Sequence, residues 1–194
     1  MKHAKIIFWV MLLPLFVFGL PLDKIESTMQ ERIDESLQIL KTQKNVQVAA
    51  NEIFAFFDPI FDFKLMAQLS LSNEYKKLTQ EQQQQFIKSF EKSLKENFIS
   101  KVKLYKDEKM NVIGGTQTKN NRYELKSSII LDGKENYIIF KFYESNKDWK
   151  IYDVDILGVS LIQTYRSQFA DILKQSDFQT LIQKLENEIK IDTQ

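Results

Sequence analysis

The sequence predicts a single α+β domain, and three observations made in chain order support this. Through about the first hundred residues, apolar positions recur every three or four residues, the spacing of amphipathic helices. From about residue 102 to residue 156, apolar and polar residues alternate instead, which is typical of strands. Helical spacing then returns. Helices first, a sheet next and helices last is an α+β order, and no internal repeat or Pro/Gly linker divides the chain.

The first 19 residues have the layout of a secretory signal peptide. Two lysines precede an apolar run over residues 6–18, and Gly19 provides a small residue at the cleavage point. An uncleaved membrane anchor is the alternative, but the run has about 13 residues and contains a proline, whereas a spanning helix needs about 20. We therefore expect a signal peptide over 1–19, a single domain over 20–194, and a soluble protein outside the cytoplasm.

Composition disfavours several kinds of site. There is no cysteine, so no disulfide or thiolate nucleophile is available. The single histidine, His3, lies in the predicted signal peptide, which disfavours Ser–His catalysis and most zinc sites in the mature domain. Removing Lys2 and Lys5 from the 27 basic residues leaves 25 against 26 acidic residues, a net charge of −1. This balance, without a basic block, gives no reason to expect nucleic acid as a partner.

Four helices are predicted before the sheet. The first covers about residues 23–41. The second begins near Asn45 and is interrupted at Pro59, because a residue that precedes proline is pushed away from helical angles. Asp62 can cap the third helix. A capping-box pattern over residues 79–82 starts a long fourth helix.

The alternating region predicts an antiparallel meander of about four strands. One or two extended pieces occupy residues 102–112, and the next strand covers 123–131. An Asp-Gly pair then marks a hairpin, since both residues tolerate positive φ. Return strands follow over 137–143 and 149–154, joined by a short polar turn.

The last strand leads almost directly into a helix. Gly158 interrupts the alternation, and Ser160 offers an oxygen that can cap the free N–H groups of the next helix. The segment from Gly158 to Ser160 also resembles half of a nucleophile elbow. The second glycine of that motif is replaced by Ile162, and no histidine is available as a base. Helix capping is therefore favoured over catalysis, and a final helix is predicted over about residues 177–189.

Two carboxylates, Asp153 and Asp155, are two residues apart on a strand and therefore share a face. Such a pair can act as acid and base, but no further base or orienting group accompanies it, so a structural role is favoured. Asp153 is expected on the same face as Trp149 and Ile151. There it would be partly buried and would need hydrogen-bond partners.

Three segments near the strand-to-helix corner resemble the signature of the MlaC family, whose members are periplasmic phospholipid carriers also called toluene-tolerance auxiliary proteins. They are WKIYDV over 149–154, GVSL over 158–161 and RSQF over 166–169. DFKLMA over 62–67 is similar to another family motif. The chain departs from the family after it, where the family often has glycine and tryptophan and this chain has Ser72 and Tyr75.

The resemblance implies a curved antiparallel sheet packed by about six helices, as in NTF2-like and cystatin-like folds, with an internal apolar pocket. It implies a non-enzymatic, periplasmic protein without metal or cofactor, which holds a phospholipid with its acyl chains inside. By the same resemblance, the protein shuttles lipid between an inner-membrane ABC transporter complex containing an MCE protein and an outer-membrane lipoprotein–porin complex, and this maintains outer-membrane lipid asymmetry.

Transport of a phospholipid through water requires an enclosed apolar site. Two acyl chains hold about 30 methylenes, and exposing each to water costs about 0.8 kcal/mol, so the total is on the order of 20 kcal/mol. Twelve apolar residues on predicted helix and strand faces are candidates for the pocket wall. They are Met66, Leu69, Phe90, Leu94, Ile129, Leu131, Ile138, Phe140, Phe142, Ile162, Tyr165 and Phe169.

Two alternatives stay open. A filled apolar core without any ligand explains the same apolar stripes, which would make the protein a structural or binding domain. A pocket of this kind could also carry another apolar cargo, such as a hopanoid-like lipid.

Overall fold

The computed structural model describes residues 19–103, 108–131 and 133–191, so the predicted signal peptide lies outside these ranges except for Gly19. Over the described residues, the chain forms six α-helices and five strands in the predicted order, and this confirms the α+β fold class. The helices are α1 (Ile25–Thr42), α2 (Val46–Phe57), α3 (Phe63–Leu71), α4 (Gln80–Val102), α5 (Leu161–Gln175) and α6 (Phe178–Ile191). Short 3-10 helices cover Leu22–Lys24 and Ser72–Lys77.

The predicted helix starts are confirmed by their capping hydrogen bonds. The side chain of Asn45 accepts from the N–H of α2 residue Val48 at 3.1 Å, and that of Asp62 accepts from Leu65 in α3 at 2.8 Å. At the start of α4, the backbone N–H of Gln82 donates to the Thr79 hydroxyl, and the backbone N–H of Thr79 donates to the Gln82 side chain. Each cap satisfies donors that have no partner within their own helix.

The strands form one antiparallel sheet in the order β1-β2-β3-β4-β5. They are β1 (Met110–Lys119), β2 (Arg122–Leu131), β3 (Lys134–Ser145), β4 (Asp148–Ile156) and β5 (Val159–Ser160). The prediction of about four strands missed β5, a two-residue strand that pairs with the end of β4. It forms because Leu157 and Gly158 both have positive φ, which turns the chain back on itself in a tight hairpin.

The sheet is curved by irregularities in its register. Shifts occur between Val112 and Gly114 and again near the end of β1. Another lies between β3 and β4, where Phe142 pairs with Ile151 but Lys141 pairs with Asp153, so that Tyr152 is bulged. The bulge places Asp153 on the face opposite to Ile151. The prediction that these two residues share a face was therefore wrong, because one extra residue reverses the alternation.

Apolar side chains gather in two clusters, and we name the sheet face that carries Leu125 and Phe142 the inner face. The sheet core contains apolar residues of this inner face together with Ile25 and Met29 of α1 and Ile60. The helical core is built by α3, α4, α5 and α6, and its helices approach the sheet at β4. Phe61 packs against both cores, and its backbone bridges to Ile151 in β4. The two cores therefore meet beside β4.

Helix α1 covers the free edge of the sheet at β1. Its Gln30 side chain accepts from the Val112 N–H at 2.7 Å. Its Glu26 carboxylate accepts from the Gly115 N–H at 3.1 Å and from the Tyr123 hydroxyl at 2.6 Å. Gly115 is required for this close approach, because a Cβ there would lie 2.0 Å from the Tyr123 oxygen. These contacts protect an edge that would otherwise expose unpaired backbone groups.

Candidate functional site

The five strand residues predicted to line a pocket all lie on the inner face of the sheet. On β2, Ile129 and Leu131 follow Leu125 at even spacing, and Leu125 pairs with Phe140 of β3. Ile138 and Phe142 flank Phe140 at even spacing on the same strand. The sequence could not establish this common face, because it depends on the register between β2 and β3.

Exposure on the inner face increases toward the β2–β3 hairpin. Phe142 is fully buried and Phe140 is 8% exposed, whereas Ile138 is half-buried. At the same end of β4, Ile156 is 45% exposed, and it pairs with Ile138 on one side and Val159 on the other. The inner face thus runs from a closed end at Phe142 to an accessible end at the β4–β5 turn.

The other seven predicted residues lie in the helical core. Phe90, Tyr165 and Phe169 form an aromatic cluster, with ring centroids 5.2 Å apart for Phe90–Tyr165 and 5.4 Å apart for Tyr165–Phe169. Met66 and Ile162 are buried in the same core. Leu69 and Leu94 are partly buried at the margin of this core. The candidate residues therefore fall on two apolar walls that meet beside β4.

A buried polar network attaches α5 to the sheet. The Asp153 carboxylate is 6% exposed and accepts from the Ile162 N–H at 3.1 Å and from the Ser160 hydroxyl at 2.7 Å. It also accepts from Lys141 Nζ at 3.2 Å, and Asp155 lies 3.8 Å from the same nitrogen. Burial lowers the pKa of Lys141, but Asp153 and the neighbouring carboxylates outweigh burial and raise that pKa overall.

The same network explains the Gly158-Val159-Ser160 segment. The Ser160 oxygen accepts from the N–H of Gln163 at 3.1 Å, which is the predicted N-cap of α5. Its hydroxyl hydrogen is donated to Asp153. Since both hydrogen-bonding roles of Ser160 are used in attaching the helix, the structural interpretation of this segment is supported over a nucleophile.

Two further polar contacts hold the helical core in place, and sequence analysis missed both. The Arg166 guanidinium donates to the Leu69 carbonyl near the end of α3 through two nitrogens, at 3.0 and 2.8 Å. The Tyr143 hydroxyl of β3 donates to the carboxylate of Asp62, the cap of α3. Sequence offers no signal for these pairs, because their members are far apart in the chain.

The Tyr143–Asp62 contact leads to a prediction about alkaline pH. Burial, followed by the hydrogen bond to Asp62, raises the pKa of Tyr143 to about 12. The tyrosine of an unfolded chain has a pKa of about 10. The folded state therefore retains this proton more strongly, and the resulting stability is complete below pH about 10 and is lost as pH rises toward about 12.

We expect the free energy of unfolding, measured by urea denaturation, to fall over this pH range. Burial and Glu26 raise the pKa of Tyr123 as well, so Tyr143→Phe should reduce the fall without removing it. A Tyr143→Phe protein with the same pH dependence as the unchanged protein would contradict the assignment.

Two surface concavities lie away from the predicted pocket residues. One, of about 380 Å³, lies on the outer face of the sheet beside Gly114 and Lys126, and the other, of about 200 Å³, lies between α1, α2 and the end of α4. None of the twelve predicted residues lines either of them. The internal apolar pocket therefore stays a prediction.

Metal-binding clusters and membrane-spanning helices are both absent from the described residues. Within the part of the chain that the structure describes, no three acidic or histidine side chains are grouped so that they could hold a metal ion. Across the same residues, no helix has both the length and the apolar character needed to span a membrane.

Comparison with known proteins identifies relatives of this arrangement. A family model described as MlaC protein matches residues 30–187. The intermembrane phospholipid transport system binding protein MlaC of Haemophilus influenzae is 26% identical over 121 residues, which is 60% of this chain and 56% of that relative. The matched part thus spans little more than half the length of the curated relative.

A solved structure shares the fold over nearly its whole length. It is the phospholipid-binding protein from Ralstonia solanacearum in complex with a phospholipid, with a TM-score of 0.76 and 22% identity. The match covers 87% of this chain and 98% of that one. The similarity confirms the predicted α+β architecture with a curved antiparallel sheet.

Proposed function

The chain belongs to the MlaC family, and from this membership and the inner face of its sheet we propose that it binds a phospholipid and carries it through water. The names of the Haemophilus influenzae relative and of the Ralstonia solanacearum protein support this proposal. The segments 62–67 and 149–169, which resemble family motifs, lie inside the range that the family model matches and are consistent with it.

The observation that carries the proposal is the arrangement of the inner face. Ile129 and Leu131 on β2 and Ile138, Phe140 and Phe142 on β3 present apolar side chains on one face, which is closed at one end and accessible at the other. Such a surface suits acyl chains, which must leave water, together with a charged head group, which must remain near it. The helical core beside β4 supplies the second wall, and the tails would lie between the two.

We further propose that the protein works between two membranes in the periplasm. Its partners would be an inner-membrane ABC transporter complex with an MCE protein and an outer-membrane lipoprotein–porin complex, and the process would maintain outer-membrane lipid asymmetry. The predicted signal peptide and the family resemblance support this placement. Ser160 is used for capping and the mature chain has no histidine, so the carrier is proposed to be non-enzymatic, with bound phospholipid as cargo in place of a cofactor.

Native mass spectrometry of the purified 20–194 chain, followed by lipid extraction, tests the proposal. We expect near one phospholipid per chain, and we expect reloading of delipidated protein from phospholipid vesicles. A well-folded protein that neither co-purifies with lipid nor takes it up would overturn the proposal and favour a domain with a filled core. Recovery of a hopanoid-like lipid in place of phospholipid would support the alternative cargo.

A further inference from the structure

One polar residue interrupts the apolar surface of β2. Tyr123, Leu125, Ile129 and Leu131 occupy the inner face, and Ser127 stands in the middle of the series. The Ser127 side chain is fully buried, with an exposure of 0%. Its hydroxyl oxygen has no hydrogen-bond partner among the residues that the structure describes.

An unpaired hydroxyl at this depth is unusual, since burying such a group without a partner is unfavourable and most buried polar atoms are hydrogen-bonded. Neither cross-strand partner of Ser127 has a side chain that could accept a hydrogen bond. Ser127 pairs with Ile138 on β3 and with Val112 on β1. Ser127 is paired on both sides, although the β1–β2 ladder is interrupted just after its partner Val112.

A second buried serine, Ser93 of α4, also has an unpaired hydroxyl, but it requires no external partner. A helical serine can rotate to bond a carbonyl in the preceding turn. Ser36 and Ser70 make such bonds in α1 and α3. Ser127 on a strand has no preceding helical turn to bond, so its hydroxyl stays unpaired unless a ligand reaches it.

We infer that Ser127 donates a hydrogen bond to an ester carbonyl of a bound diacyl lipid, an inference that rests on the proposed function. Ser127 lies four residues, or about 13 Å along the strand, from Leu131 at the accessible end. A charged phosphate would lie between Ser127 and that end, on the side nearer to water. The ester carbonyls join the head group to the tails and are the deepest hydrogen-bond acceptors of such a lipid. The Ser127 hydroxyl, a single hydrogen-bond donor surrounded by apolar residues, suits such an acceptor.

The inference is tested with a pair of synthetic phospholipids that share head group and chain length, one with ester linkages and one with ether linkages that lack the carbonyl. The unchanged protein should bind the ester lipid about tenfold more tightly than the ether lipid. Ser127→Ala should bind the two equally, with its affinity for the ether lipid retained. Ser128→Ala is the matched control, because Ser128 is the adjacent buried serine on the outer face, and it should keep the preference.

A thermal denaturation readout separates ligand binding from a structural role. Ser127→Ala without lipid should melt no lower than the unchanged protein, because the hydroxyl makes no bond within the described chain. A lower melting temperature would indicate a structural partner such as an ordered water and would overturn the inference. Ser127→Cys, of similar volume and with a weaker donor, provides the same comparison if the alanine variant does not fold.

The outcomes distinguish this inference from the proposed function. Equal binding of ester and ether lipids by the unchanged protein would overturn the role of Ser127 and leave the carrier function standing. An ester preference that survives in Ser127→Ala would overturn it as well. Folded protein that binds neither lipid would overturn both the inference and the proposed function.

Discussion

Replacing Phe140 with aspartate is expected to abolish lipid retention and to destabilise the domain by more than about 4 kcal/mol. Phe140 is 8% exposed on the inner face, between Val154 on β4 and Leu125 on β2. A carboxylate there would lose its hydration without gaining a partner. Urea denaturation gives the change in stability, and lipid extraction from the purified variant gives its lipid content.

Two control variants make the Phe140 result specific. Tyr137→Asp places the same side chain on the outer face of the same strand, where the residue is 39% exposed, and should change stability by less than about 1 kcal/mol with lipid retained. Phe140→Leu keeps an apolar group and should retain lipid. If Phe140→Asp has normal stability and normal lipid content, Phe140 does not belong to the pocket wall.

Removing the Asp153 carboxylate in Asp153→Ala is expected to cost about 3 kcal/mol of unfolding free energy. Three donors lose their acceptor together: Lys141, Ser160 and the N–H of Ile162. The start of α5 would lose its attachment to β4, which also displaces the Ile162 side chain from the helical core. Denaturation in urea, analysed by linear extrapolation, measures the loss.

The neighbouring carboxylate provides the comparison for this prediction. Asp155 lies on the same face and 3.8 Å from Lys141, but among the described residues its side chain makes no hydrogen bond to α5, so Asp155→Ala should cost less than about 1 kcal/mol. Similar losses in the two variants would show that charge near Lys141 matters more than attachment of the helix. A loss below about 1 kcal/mol for Asp153→Ala would remove it as the anchor of α5.

Helix starts were predicted well because capping is a local property. The caps at Asn45, Asp62, Thr79 and Ser160 depend on residues within three positions, and the structure has all four. The unpaired hydroxyl of Ser127 was not predicted, because it is recognised only once the pairing of β2 with both neighbouring strands is known.

The faces and the number of strands in the sheet were predicted less well, because a single residue in a bulge or turn can change either of them. The bulge at Tyr152 moved Asp153 to the outer face, where it meets Lys141 and the start of α5. The two-residue strand β5 depends on positive φ at Leu157 and Gly158, and leucine rarely adopts such angles. Neither feature changes the apolar pattern from which strands are predicted.

The sequence by itself determined the order and type of the elements, the helix caps and the segments that carry the family resemblance, because spacing, capping and motifs involve residues that are close in the chain. The tertiary structure decided that the five strand residues of the predicted pocket share one face, that the helices form a second core beside β4, and that Asp153 anchors α5. These properties depend on strand register and on contacts between distant residues. Register can change by one residue at a bulge, and such a shift reverses which face every later side chain occupies.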